Sequence, residues 1–178
     1  MQRLIRPFAF AVLVLALAGG LALPASADNQ VERPHKAKAT GTNTIVVEEC
    51  VGTIIVTCPQ ETATTLIGTH LGKSVSNGTG SATLDFGATP CIGTNGAPGT
   101  PFVSVQDVVT IAANGDELHS LNETTGCFVD FGVGTLAVGT YTITGGTGRF
   151  AGASGNGSLS ATVLDDALDT TWNGTLTY

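Results

Sequence analysis

The stretch Gly139–Ser160, GTYTITGGTGRFAGASGNGSLS, limits the fold more than any other part of the chain. Tyr141 and Ile143 alternate with Thr140, Thr142 and Thr144, the period-2 pattern of a half-buried strand. Gly145, Gly146 and Gly148 then permit positive φ and a tight reversal, because no Cβ opposes it. Gly152, Gly155 and Gly157 restart the chain as a strongly bent strand, the bend that a closing barrel needs.

The same alternation recurs along the chain. Thr44–Val47, Gly52–Thr57 and Thr62–Leu71 are β-branched runs that read as strands. Ser76–Gly80 has turn chemistry, and Ala82, Leu84 and Phe86 then mark the inner face of another strand. Gly87–Pro101 reads as a loop carrying Cys91. In Val103–Ala112 the apolar face is Val103, Val105, Val109 and Ile111, with Ser104, Gln106 and Thr110 opposite. Asn114-Gly115 predicts a type I′ hairpin turn, after which Glu117–Thr124 returns. Phe128–Phe131, Leu136–Thr144, a strand marked by Leu159, Ala161 and Val163, and a last one with Trp172, Leu176 and Tyr178 on one face complete the set.

After residue 27 no segment repeats its apolar residues every 3.6 positions. Eight or nine short strands with glycine-rich turns mean an all-β sandwich or barrel. Closure removes the exposed edges that a Val- and Thr-rich chain would otherwise present, so the expected fold is a closed antiparallel barrel of about eight strands.

The N-terminus reads as a leader. Arg3 and Arg6 precede the apolar run Phe8–Ala18, and Ala25-Ser26-Ala27 is a small-x-small cleavage pattern. The expected organisation is a signal peptide over 1–27, a polar flexible lead-in over 28–42 in which His35 is solvated, and one barrel domain over 43–178. The mature protein is then secreted or periplasmic, with no membrane span. Losing Arg3 and Arg6 leaves five basic residues against 14 acids, too few cations to neutralise phosphates, which excludes nucleic-acid binding. An even set of cysteines in an exported chain, Cys50, Cys58, Cys91 and Cys127, suggests two disulfides. An extended Val51–Thr57 would hold Cys50 and Cys58 ~25 Å apart at ~3.3 Å per residue, far beyond the ~7 Å limit for a bridge. Cys91 is therefore expected to pair with Cys58 or Cys127, leaving Cys50 unexplained.

The run from Tyr141 to Gly157 resembles the Gly-Gly-Thr-Gly-x-Phe-x-Gly-Ala-x-Gly signature of dirigent proteins, matched here by Gly145-Gly146-Thr147-Gly148-Arg149-Phe150-Ala151-Gly152-Ala153-Ser154-Gly155. It is also similar to the corresponding corner of allene oxide cyclases. Ala112–Leu118 and Thr69–Gly72 look like motifs of exported bacterial proteins sharing that barrel. The resemblance implies an eight-stranded antiparallel barrel, often trimeric, with an apolar pocket. No catalytic residue of those families matches a position here.

Several residues are candidates for chemistry. Asp107 is in phase with Val103 and Val109, which would aim its carboxylate into the barrel and raise its pKa or demand a partner. The plainer reading is a bulge near Gln106, or a place near the mouth. Tyr141, Trp172 and Tyr178 are inward aromatics suited to a small apolar ligand, or ordinary core. His70, beside Gly68, is a candidate general base, whereas His119 shares the solvent side with Glu117 and Glu123. Gly68–Ser74 is one residue short of a phosphate-binding loop and no helix follows it. Asp165, Asp166 and Asp169 match no calcium-loop spacing, so no metal and no cofactor is expected. The leading expectation is an exported barrel holding a small apolar molecule. An isomerase, cyclase or dirigent-type enzyme acting in the same cavity is the first alternative, and a non-catalytic surface or assembly module is the second.

Overall fold

The computed structural model describes residues 31–130 and 132–178. The leader reading of residues 1–27 lies outside them. The strands are β1 (Glu32–Ile45), β2 (Ile55–Gly68), β3 (Gly72–Asp85), β4 (Cys91–Ile92), β5 (Pro98–Ile111), β6 (Glu117–Phe128), β7 (Thr135–Gly146), β8 (Gly155–Leu164) and β9 (Ala167–Thr177), with short 3₁₀ turns at Val47–Glu49 and Gly148–Phe150. Pairing runs β3-β2-β1-β9-β8-β7-β6-β5, and β3 also pairs with β5. Every pairing is antiparallel, so eight strands close on themselves and no long edge is left open. The two-residue β4 is a flap hydrogen-bonded to the start of β5.

Several boundaries differ from those read in the sequence, each for an identifiable reason. The polar lead-in is, from Glu32, the strand that closes the barrel between β9 and β2. Its Lys36, Lys38, Thr40 and Thr42 face water, while His35, Ala37, Ala39 and Asn43 are buried. The small inward alanines hid the alternation. His35, expected to be solvated, is only 4% exposed. Ser76–Gly80 is no turn but the middle of β3, paired on one side with β2 and on the other with β5. A Cβ on Gly78 would collide with the Thr62 hydroxyl, so the glycine serves close approach across the lumen wall and not a reversal. Gly52–Thr57 and Thr62–Leu71 largely merge into one long β2, and the chain reverses at Thr69–Leu71, where His70 takes φ +69°. The Asn114-Gly115 hairpin forms, but only Gly115 has positive φ. The Gly115 N–H donates to the Ala112 carbonyl, which makes a type I turn closed by a left-handed glycine and not type I′.

The disulfides are Cys50–Cys58 and Cys91–Cys127. Cys91 takes one of its two expected partners. The expectation that Cys50 and Cys58 lie too far apart fails because Val51–Thr57 is not extended. Gly52 turns at φ +109°, and Val51 and Thr57 exchange backbone hydrogen bonds, bringing the two cysteine Cα atoms to 4.1 Å.

One end of the barrel is plugged. Phe150 and Leu176 are fully buried and Tyr141 nearly so, packed with Leu71, Leu118, Ile143 and Ala153. Phe150 comes from the glycine-rich corner, which is pinned to the β5–β6 turn by Asp116: its carboxylate accepts from the Arg149 N–H at 3.3 Å and pairs with the guanidinium at 3.6 Å. Burying a ring of this size stabilises by roughly 1.5–3 kcal/mol. The other end is open.

Candidate functional site

The open half of the barrel encloses a cavity of about 630 Å³, within the ~300–1,000 Å³ of small-molecule sites. Its lining is two-sided. Gln60, Thr62, Ser104, Gln106, Asn122 and Thr124, from β2, β5 and β6, make a polar wall. Ala137, Leu159, Ala161, Val163, Leu168 and Trp172, from β7, β8 and β9, make an apolar one. Ile45, Val47, Val56, Leu84, Phe86, Phe102 and Phe128 form the mouth.

The polar wall is partly wired to itself. The Ser104 hydroxyl donates to Gln60 Oε1 at 2.6 Å, and Gln60 Nε2 donates to Asn43 Oδ1. Thr62 donates to Gln106 Oε1 at 3.5 Å, and Ser120 to Asn122 Oδ1 at 3.3 Å. These bonds engage the amide oxygens of Asn43, Gln106 and Asn122 as acceptors and draw on none of their N–H donors. Each of those amides therefore offers hydrogen-bonding capacity to whatever fills the lumen.

This wall reverses the phase expected for β5. Ser104, Gln106, Val108 and Thr110 point inward, and Val103, Val105 and Asp107 are exposed. No bulge interrupts the pairing of β5 with β3 or β6, so the whole strand faces the other way. Asp107 accordingly lies on the outer wall, in register with Thr79 and Leu121, and is not a lumen carboxylate. The other candidates are also dispersed. Tyr141 is 1% exposed in the plug, below the cavity, and burial pushes its hydroxyl up to about 12. His70 sits in the turn at the plugged end, its Nε2 3.2 Å from the Pro34 carbonyl and its ring 5.8 Å from Tyr178. Tyr178 packs there against Phe150 at 5.3 Å, under the Arg33 guanidinium. Of the five expected ligand contacts only Trp172 lines the cavity. His119 pairs with Glu117 at 3.0 Å on the outer wall, as its phase predicted.

The residues that do line the polar wall are not apparent from sequence, because Ser, Thr and Gln in alternation have the pattern of a solvent face. The available signal was the pairing of amide with amide across strands, Gln106 opposite Asn122. Among the titratable side chains of the described residues, only Asp130, Asp165 and Asp166 line the cavity. All three belong to the connections at the open end, which also carry Glu48 and Glu49 and contain no lysine or arginine. Among the described residues no three potential metal ligands converge.

Fold and site together define a closed antiparallel eight-stranded barrel, plugged at one end and hollow at the other, with an uncharged lumen under an acidic rim. No family model and no curated protein matches the chain. Among the described residues no helix is long and apolar enough to cross a membrane, and both disulfides suit an oxidising compartment.

Proposed function

We propose that this chain is an exported β-barrel protein that holds a small, mainly apolar molecule in its lumen. The observation that carries the proposal is the one-ended cavity of about 630 Å³, with an aliphatic wall and Trp172 at its inner part. The leader-like N-terminus and the two disulfides support export. The glycine-corner resemblance to allene oxide cyclases and dirigent proteins agrees with a hollow barrel of this kind. The enzyme reading needed Asp107, Tyr141 or His70 around one cavity, and they lie on the outer wall, in the plug and in the turn at the plugged end.

Binding is tested with the uncharged fluorophore N-phenyl-1-naphthylamine, read by energy transfer from Trp172, the chain's single tryptophan. The expected result is saturable one-to-one binding that Ala161→Phe, which fills the lumen, removes without unfolding the barrel. Binding that ignores Ala161→Phe places the probe elsewhere and sinks the proposal.

A specific observation favours self-association beside ligand binding. Val103, Thr125 and Val138 form a continuous row across β5, β6 and β7 on the outer wall, and both valines are about half exposed. With Leu136 and Val105 also exposed, this face suits a second copy of the chain, in line with the trimers that the resemblance implies. Sedimentation equilibrium of wild type against Val103→Lys/Val138→Lys tests it, and an unchanged mass refutes it.

A further inference from the structure

We infer that the lumen selects uncharged molecules that are apolar along one edge and carry hydroxyl or carbonyl groups along the other, and that it rejects anions. This rests on the ligand-binding reading and goes beyond it by naming the class of ligand.

Three observations converge. The first is the sidedness of the lining. A purely apolar molecule in this cavity would satisfy the β7–β9 wall and strip water from the amides of Asn43, Gln106 and Asn122 with no hydrogen bond in return. A buried polar group left unpaired costs roughly 1–3 kcal/mol. A molecule polar on one edge removes that cost, and because an amide both donates and accepts, a hydroxyl matches it in either orientation. Sites built to hydrogen-bond a hydroxyl discriminate strongly against analogues that lack it.

The second observation is the absence of a counter-charge. Among the described residues no lysine, arginine or histidine lines the cavity. The described cations Arg33, Lys36, Lys73 and Arg149 belong to the plugged end or the strand segments next to it, and Lys38 faces outward from β1. A carboxylate or sulfonate entering the lumen would therefore lose its hydration with no cation to meet it, an expensive transfer.

The third is the rim. Asp130, Asp165 and Asp166 line the entrance, with Glu48 and Glu49 on a neighbouring connection. Acids gathered round a narrow low-dielectric opening focus a negative potential over it. At physiological salt the Debye length is ~8 Å, so the repulsion acts at close approach, where an anion would have to pass.

The test uses three probes of one skeleton and isothermal titration of the full chain: naphthalene, 2,7-naphthalenediol, whose hydroxyls share one edge, and naphthalene-2,7-disulfonate. The diol is expected to bind at least tenfold more tightly than naphthalene, although naphthalene is the more hydrophobic, and the disulfonate to give no saturable heat. Gln106→Leu with Asn122→Leu is expected to erase the preference for the diol, weakening the diol and tightening naphthalene, because the amides that naphthalene would strip of water are gone. The inference is overturned if naphthalene binds as tightly as the diol, if the disulfonate comes within tenfold of it, or if none of the three binds a lumen that still takes N-phenyl-1-naphthylamine. In each of those cases the fluorophore remains bound and the ligand-binding reading survives. Failure of the fluorophore to bind removes both. The three-probe comparison on the wild-type chain decides the matter even if the double variant does not fold.

Discussion

Acid should loosen the plugged end of the barrel through His35. The imidazole lies inside β1, the strand that joins β9 to β2 and so completes the closure. It is 4% exposed and meets the Tyr141 ring edge-on at 5.8 Å, and its Nδ1 has no hydrogen-bond partner among the described residues. Burial lowers its pKa from the ordinary 6.5, the nearby His70 ring lowers it further, and a backbone hydrogen bond at Thr69 opposes them. Above about 6.5 the folded and unfolded chains both hold this histidine neutral, and it contributes no pH dependence. Below that pH the unfolded chain takes up a proton that the folded barrel refuses. Stability therefore falls with acidification, by up to about 1.4 kcal/mol per pH unit for one proton, until the depressed folded pKa is reached. With a urea m-value of ~1–3 kcal/mol/M, each pH unit in that window moves the unfolding midpoint by roughly 0.5–1.4 M. The assay is urea denaturation of wild type and His35→Gln between pH 7.5 and 4.5, followed by Trp172 fluorescence. Carboxylates titrate alike in both proteins and cancel in the difference. The gap between them should be constant near pH 7.5 and shift against the wild type as pH falls below 6.5. Parallel curves over the whole range would refute the reasoning.

Two further predictions follow from the same geometry. Placing the same aspartate on each face of β5 reads its phase directly: Val105→Asp, on the outer wall, should cost about 1 kcal/mol, the span of strand propensity, whereas Val108→Asp, buried among the inward residues, should destabilise by at least ~3 kcal/mol or prevent folding. Equal costs in thermal denaturation would contradict the observed facing. Removing Cys91–Cys127, which spans 36 residues, should cost about 4 kcal/mol on the chain-entropy model, and removing Cys50–Cys58, which spans 8, about 2.5 kcal/mol. Denaturation of the two double-serine variants checks the order, and a larger loss from the shorter loop would show that native contacts outweigh loop closure here.

The architecture was readable because alternation and glycine placement act locally. Tyr141 and Ile143 point inward as their period requires, and the corner after them delivers Phe150 to the plug. What failed depended on contacts distant in sequence. The β1 strand carries inward alanines and a histidine, and its identity comes from lying between β9 and β2, not from its own hydrophobicity. Ser76–Gly80 has turn residues throughout, yet it is extended because ladders on both sides supply every strand hydrogen bond that the residues themselves do not favour. The Cys50–Cys58 bridge was invisible because one glycine at φ +109° folded a segment whose β-branched neighbours read as extended.

The site was less legible than the fold, and β5 shows why. Alternation establishes that a segment is a strand and separates its two faces, but it does not say which face is which. Assigning the aliphatic face to the interior assumes that the interior is dry. That assumption holds in the plugged half, where Leu66, Tyr141, Ile143 and Leu176 belong to one packed cluster and the space among its side chains is only about 20 Å³. It fails in the hollow half, where the interior is a lumen and the outer wall presents Val103, Val105 and Val138. There, facing is set by what the opposite strands offer. Gln106 stands across from Asn122 and under Thr62, and Gly78 leaves room for both contacts. Turning β5 over would bring Asp107 into a lumen that has no cation to receive it and would leave Gln60 without the Ser104 hydroxyl. The inverted strand is thus the lower-energy choice because the cavity is polar on that side, and the same polarity decides what the cavity can hold.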